Sequence, residues 1–376
     1  MQGMNADPSH YLTALQGFEG RLRGLVGTLA GELAGQTRPN AAKIDVLCAQ
    51  IDLLTREYLQ FLPEMNRDRV GQETAAGSTE GVIDLRRQWG ETTARLNHFR
   101  LEINTWPTVR SLVQEQRKPK RQPLYQPEVK LPKTTFAQLG ASDDVFHWLH
   151  AILNPADQSD DARDHNCFPD IALSNFEFHQ HMHAAYRLCL AQDRAEPVRF
   201  LDVGCGGGLK VLSALRYFPK AEGFDFDPAY VAAGQRLMQM SPDLDCTIFQ
   251  QDALTFDRYQ EYDVIYFYRP ISDEPLLIEM ERRIAEHARP GTVLIAPYVS
   301  FPDRHEDLAC GHIDGAIYTV GITGKAARRL KIKAERVGQF IVRPDTTALQ
   351  TVWSPVLEAS RANGYDIPAR YQKPSY

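Results

Sequence analysis

Residues 198–210 read VRFLDVGCGGGLK. An apolar run with β-branched and aromatic members predicts a short buried strand over Val198–Val203, carrying Asp202 at its end. Glycines 204, 206, 207 and 208 then break the strand, and Leu209 opens a helical pattern. Glycine tolerates the positive φ that a tight strand-to-helix turn demands, and it lets backbone amides approach a bound molecule closely. The helix that follows points its unsatisfied N–H groups and positive dipole end at the same spot. A ligand gripped by this turn belongs over the carboxyl ends of the strands.

Reading outward, short β-type runs alternate with helical ones. Strands are predicted at 198–203, 221–226, 246–250, 262–268 and 292–298. Helices are predicted between them at 209–218, 228–240 and 273–287. The strand stretches DVIYFY and VLIAPYV are apolar on both faces, as strands covered on both sides must be. This alternation predicts an α/β fold with an open, mostly parallel sheet and helices on both faces. Further strand is expected at 316–322 and 339–342, with a helix at 325–336 between them.

The glycine spacing discriminates among nucleotide binders. A nicotinamide-type turn requires G-x-G-x-x-G. Counted from Gly204 the last position is Leu209, and counted from Gly206 it is Val211, so both registers fail. The sequence Asp202-Val203-Gly204-Cys205-Gly206-Gly207-Gly208 instead resembles motif I of the class I S-adenosylmethionine-dependent methyltransferases. Three later features agree in order. Gly223-Phe224-Asp225-Phe226-Asp227-Pro228 resembles the family's segment at the end of the second strand, Gln251-Asp252-Ala253 its segment after the third, and Arg289-Pro290-Gly291-Thr292 its turn before the fifth. The resemblance covers about residues 198–300 and implies a Rossmann-like methyltransferase domain that binds S-adenosyl-L-methionine. The cofactor-binding residues it implies are Asp202, Gly204, Cys205, Gly206, Gly208, Asp225, Phe226, Asp252 and Ala253. Asp225 would take the ribose hydroxyls and Asp252 the adenine amino group. Asp202 also has a purely local reading, orienting the turn, and Asp227 reads as the N-cap of the helix opening at Pro228. Asp257 and Asp263 read as surface or turn residues.

The acceptor side is less determined. The fourth strand ends in Tyr266-Phe267-Tyr268-Arg269-Pro270-Ile271, which lacks the Asn/Asp-Pro-Pro-aromatic pattern of base-amino methylation and the Asn-rich pattern of lysine methylation. Tyr268 and Arg269 are candidate catalytic residues. Arg269 suits an anionic acceptor or the cofactor carboxylate, or else pairs with a neighbour such as Asp273. The stretch Glu177–His183 holds His179, His181 and His183. On a helix His179 and His183 share a face while His181 points away, and no partner ligands accompany them, so no metal is expected. His179, His183 or Tyr186 is a candidate base beside the cofactor, with Tyr298 and His305 as further pocket candidates.

The rest of the 376 residues bounds the function. Residues 10–116 carry a/d seams: Leu15, Phe18, Leu22, Leu25, Leu29; Ile44, Leu47, Ile51, Leu54, Tyr58, Phe61; and Val82 through Trp106. They predict a helical bundle over 1–116, for oligomerisation or substrate docking, in which one seam could join a second copy. Gly20, Gly24, Gly27, Gly31 and Gly35 read as points of close helix approach. Residues 117–135 form a basic, proline-bearing linker, and 136–376 the catalytic domain. The aspartates at 157, 160, 161, 164 and 170 lack EF-hand spacing and read as a solvated loop. Residues 136–300 hold 13 basic and 25 acidic side chains, a field that opposes nucleic acid. Six cysteines without a C-x-x-C pair, no secretory pattern and no long apolar run fit a reduced, cytoplasmic setting and exclude a membrane span. The expectation is methyl transfer to a small-molecule or protein acceptor by in-line displacement. The alternatives are an RNA methyltransferase docked by the helices and linker, a non-catalytic assembly scaffold with a vestigial nucleotide fold, and, least compatible with the glycine spacing, a nicotinamide oxidoreductase.

Overall fold

The computed structural model describes residues 8–34, 39–76, 78–117, 120–125, 133–154, 157–194, 196–240, 242–338, 341 and 351–367. The chain divides into two compact units, one built from Met1–Lys120 with Val342–Tyr376 and the other from Arg121–Ile341.

In the first unit four helices follow one another: α1 (Pro8–Leu33), α2 (Ala41–Ala75), α3 (Thr79–Asn104) and α4 (Trp106–Arg117). Asn40 and Ser78 cap α2 and α3 by accepting the N–H of Lys43 and Gly81. The seams close within the chain: Leu15, Leu22, Leu29, Ile44, Ile51, Tyr58, Trp89, Phe99 and Ile103 are all at most 2% exposed. The glycine expectation is corrected. A methyl group added at Gly20, Gly24, Gly27 or Gly31 would meet nothing within 4 Å, so these glycines lie on the open side of α1; Gly35 lies outside the described residues. A C-terminal helix, Ser354–Ala362, completes this unit. Trp353 stacks on Trp106 at 5.1 Å and donates its indole N–H to the Glu102 carbonyl, and Gln116 donates to Ser360. These contacts place the end of the chain with the helices, whereas the sequence reading ran the catalytic domain through to 376.

The second unit contains α5 (Lys133–Leu153), α6 (Asp160–Asp164), α7 (Asn175–Ala191), β1 (Arg199–Val203), α8 (Leu209–Ala214), β2 (Lys220–Asp225), α9 (Pro228–Gln239), β3 (Cys246–Gln250), β4 (Val264–Phe267), α10 (Glu274–His287), β5 (Val293–Ile295), α11 (Ser300–Arg304), β6 (Cys310–Asp314), β7 (Ile317–Val320) and α12 (Gly324–Ala334). The strands form one seven-stranded sheet in the order β3-β2-β1-β4-β5-β7-β6. β1 to β5 pair in parallel, and β7 runs antiparallel between β5 and β6. Strand order reverses between β1 and β4, which opens a crevice at their carboxyl ends. Alternate residues feed two cores: Phe200, Val264 and Ile295 pack on one face, Leu201, Ile265 and Leu294 on the other. The parallel half thus follows the sequence reading. β6 was missed because Cys-Gly-His-Ile-Asp has no β-branched run and lies at an edge. The possible strand at 339–342 falls almost wholly outside the described residues.

Part of the basic segment is also corrected, because residues 121–125 are not a solvated connector. Arg187 on α7, 3% exposed, donates to the carbonyls of Gln122 and Pro123 and to those of Ala334 and Val337. Arg121 donates to Glu335, and Leu124 is buried in the core. A buried guanidinium requires such a set of acceptors.

Candidate active site

A cavity of about 210 Å³ opens at the carboxyl ends of β1, β2 and β4. Its floor is the glycine turn. Gly204 and Cys205 donate their backbone N–H groups to the Phe224 carbonyl, locking the turn to β2. Gly204 and Gly206 have φ of +75° and +52°, the left-handed region in which a side chain is strained. Gly204, Cys205 and Gly206 line the cavity, as do Asp202, Asp225, Phe226, Asp252, Ala253, Tyr268 and Arg269. These residues come from separate segments of the chain, and the parallel topology assembles them at one rim.

The carboxylates differ in their surroundings. Asp225 accepts the N–H of Gly206 at 2.8 Å and that of Asp227 at 2.9 Å, so it ties the glycine turn to the loop after β2. Burial pushes its carboxyl up to about 6, against the pull of those two N–H groups. Asp252 accepts the N–H of Leu254 and turns its other oxygen toward the cavity side. Asp202 is 3% exposed, and its carboxylate accepts no hydrogen bond from the described residues. Burial pushes it up to about 8, offset in part by Lys210 and reinforced by Asp170 and Asp225. Lys210, on the first turn of α8, donates to the carbonyls of Leu173 and Ser174 and sits 3.9 Å from the Phe146 ring centre. Burial pulls its ammonium down to about 8. A buried carboxylate with open lone pairs facing a cavity is a site for a cationic ligand group.

Two further lining residues, His165 and Asp170, were not recognised in the sequence. The segment was read as a solvated acidic loop, yet Asp170 accepts the Gly207 N–H at 3.0 Å and its carboxylate pairs with His150 at 3.2 Å. The ring of His165 stacks on Phe226 with centroids 4.0 Å apart and planes 2° from parallel. Its Nε2 lies 3.3 Å from Asp252. Neither residue stands in a motif. The only signal was an aspartate in an otherwise apolar CFPDIAL stretch.

Other expectations fail on geometry. Gly208 does not line the cavity; at φ +80° a Cβ there would meet Ile248 Cδ1 at 1.9 Å, so its role is the close approach of α8 to β3. His179 is hydrogen-bonded to the Tyr217 hydroxyl at 3.0 Å and His183 donates from Nε2 to the Gly338 carbonyl at 2.9 Å. Burial lowers both, His179 to about 4, and neither reaches the cavity. They are neutral packing histidines of α7, as is His181 against Tyr125. Tyr186 is likewise a core residue away from the cavity. Tyr298 and His305 both bond Glu281, which is fully buried and also receives Arg304. This cluster fastens α11 to α10. Asp263 is a buried anchor for Arg289 and the Arg199 N–H. Asp227 does cap α9, accepting the Ala229 N–H.

Arg269 follows β4 with φ +44°, a strained backbone for a residue that carries a Cβ. Its guanidinium lies 3.9 Å from Glu274, and its buried Nε has no hydrogen-bond partner among the described residues. Asp273, the partner considered from sequence, instead caps α10. Among the described residues no group of three His, Cys, Asp or Glu side chains converges to hold a metal, and no helix is long and apolar enough to cross a membrane.

No protein-family model and no curated protein matches the chain. Solved structures do resemble it. CalS10, an amino pentose methyltransferase from Micromonospora echinaspora solved with its S-adenosylmethionine bound, is 23% identical, with 38% of this chain and 64% of that one covered and a TM-score of 0.28. PKMT2 from Rickettsia typhi, in complex with AdoHcy, is 17% identical over 27% of this chain and 20% of its own, with a TM-score of 0.25. The cyclase SpnF is 22% identical over 30% and 44%, with a TM-score of 0.24. The chain thus spans from a fifth to under two thirds of these neighbours' own length. With its strand order and antiparallel β7, the sheet unit has an open, mostly parallel Rossmann-like α/β fold.

Proposed function

We propose that the sheet unit is an S-adenosylmethionine-dependent methyltransferase whose cofactor lies across the cavity. The observation that carries this reading is Asp202, a buried carboxyl that accepts no hydrogen bond from the described residues, at the floor of a cavity also lined by Asp170, Asp225 and Asp252. Asp170, Asp225 and Asp252, with Asp202 able to ionise opposite a bound cation, disfavour a dinucleotide pyrophosphate and favour a ligand bearing an ammonium and a sulfonium. Asp202 would hold the ammonium, Asp225 the ribose, and Asp252 with Ala253 and Phe226 the adenine. When bound, the cofactor supplies an electrophilic methyl group on sulfur.

The chain's own residues then align and shield. The turn from Gly204 to Gly206 fixes one end of the ligand, and the aromatic walls Tyr266 and Phe224 exclude water. Tyr268 and Arg269 at the rim would contact the acceptor, a small molecule or a protein side chain, which displaces the sulfur in line. CalS10, named an amino pentose methyltransferase, supports a small-molecule amine as the first acceptor class to try. Calorimetric titration with S-adenosylhomocysteine tests the cofactor site; absence of binding would refute it. Incubation with methyl-labelled cofactor and a fractionated cell extract then tests the acceptor, since label entering RNA would overturn the small-molecule or protein reading.

A further inference from the structure

Residues 165–173 form one wall of the cavity, with His165 against Phe226 and Asp252 and Asp170 against the glycine turn. His165 lies flat on Phe226 at 4.0 Å, with a ring nitrogen 3.3 Å from Asp252. A flat aromatic on Phe226 with its nitrogen edge toward Asp252 is what the adenine ring would present. Asp170 takes the N–H of Gly207 and fills the space above Gly206, where an added Cβ would lie 2.2 Å from its carboxyl carbon. The open volume left, about 210 Å³, falls below the roughly 300–1,000 Å³ usual for ligands of this kind.

We propose that His165 is a built-in stand-in for the cofactor's base: it covers Phe226, lies against Asp252 without a hydrogen bond, and must leave them before a nucleoside can bind. Asp170 holds the glycine turn in the same way. The inference rests on the cofactor reading above and adds to it a residue that sets affinity by competition. The segment's backbone is fastened independently of either side chain. Phe168 donates to the Pro270 carbonyl, Ser272 donates to the Asn166 carbonyl, and Ser159 donates to Asp227. Rotation of the imidazole alone therefore clears the base subsite without unfolding the segment. The affinity observed for a ligand is then reduced by the fraction of molecules in which the ring has turned out.

The test is calorimetric titration of S-adenosylhomocysteine into the full chain as wild type, His165→Ala, His165→Ser and His165→Phe. Both truncations should bind about threefold to tenfold tighter than wild type, the equilibrium weight of one aromatic stack. His165→Phe, which keeps a ring on Phe226, should bind no tighter than wild type. Unchanged or weaker binding by the truncations would overturn the proposal, because the imidazole would then be neutral or a partner of the base. Tighter binding by His165→Phe would overturn the stacking account. If wild type binds and the truncations merely match it, only this inference fails. If none of the four proteins binds, the cofactor reading fails and takes this inference with it.

Discussion

Asp202→Asn removes a carboxyl that burial carries from 3.8 up to about 8. Between those values the folded chain keeps a proton that the unfolded chain has released. Stability therefore falls as pH rises through that window, by about 1.36 kcal/mol per pH unit. By pH 7.5 the accumulated cost is on the order of 5 kcal/mol, before the roughly 1–3 kcal/mol that an unbonded amide would cost in the variant. The interval from pH 6.5 to 7.5 lies inside this group's window, with Lys210, whose ammonium Asp202 helps to keep charged, as its coupled neighbour. Asp225 titrates between 3.8 and about 6, His179 and His181 between about 4 and 6.5, and Lys210 between about 8 and 10.5. Urea unfolding of wild type and Asp202→Asn, followed by circular dichroism at pH 6.5, 7.0 and 7.5, reads the difference. Wild type should lose on the order of 1 kcal/mol relative to the variant across that unit, a midpoint shift of roughly 0.5–1 M urea. The variant should also bind S-adenosylhomocysteine more weakly. Parallel pH profiles for the two proteins would refute the reasoning, since Asp202 would then be ionised and solvated in the fold.

Asp225→Ala strands the Gly206 and Asp227 N–H groups and should weaken S-adenosylhomocysteine binding more than tenfold; unchanged affinity by calorimetry removes the ribose assignment. Gly208→Ala imposes left-handed strain and a clash with Ile248, and should cost about 2–4 kcal/mol in chemical denaturation; a neutral substitution would contradict the close packing of α8 on β3. Glu281→Ala leaves the buried His305 without its carboxylate and Arg304 with Glu274 alone, and should destabilise the sheet unit by about 3–5 kcal/mol, read as a lower urea midpoint. His179→Ala and His183→Ala should leave cofactor affinity within twofold of wild type; a larger loss would return α7 to the site.

The parallel half of the sheet was legible because each strand is short, apolar and followed by its own turn signal, and because motif spacing orders Gly204, Asp225 and Asp252 along it. β6 and the role of 157–173 were not. β6 draws its pairing from β7 rather than from its own side chains. The covering segment has no periodicity, and its value lies in where Phe168 and Asn166 are hydrogen-bonded, a tertiary fact. The histidines of α7 misled for a related reason. Spacing placed His179 and His183 on one face, but which neighbour that face meets depends on how α7 packs, and it meets Tyr217 and Gly338 rather than the cavity. The glycines of α1 misled in the opposite sense, since residue type alone suggested contact where the fold leaves open space.

The clasp formed by Arg187 has a consequence for how the chain acquires its shape. It joins the strand of backbone by which the sheet unit is entered, at Gln122 and Pro123, to the one by which it is left, at Ala334 and Val337. The sheet unit is thus a long excursion inserted between α4 and the Ser354–Ala362 helix of the other unit. During synthesis the four leading helices emerge well before the helix that supplies Trp353 to their core. The stacking of Trp353 on Trp106 can therefore form only after the whole inserted unit has been synthesised.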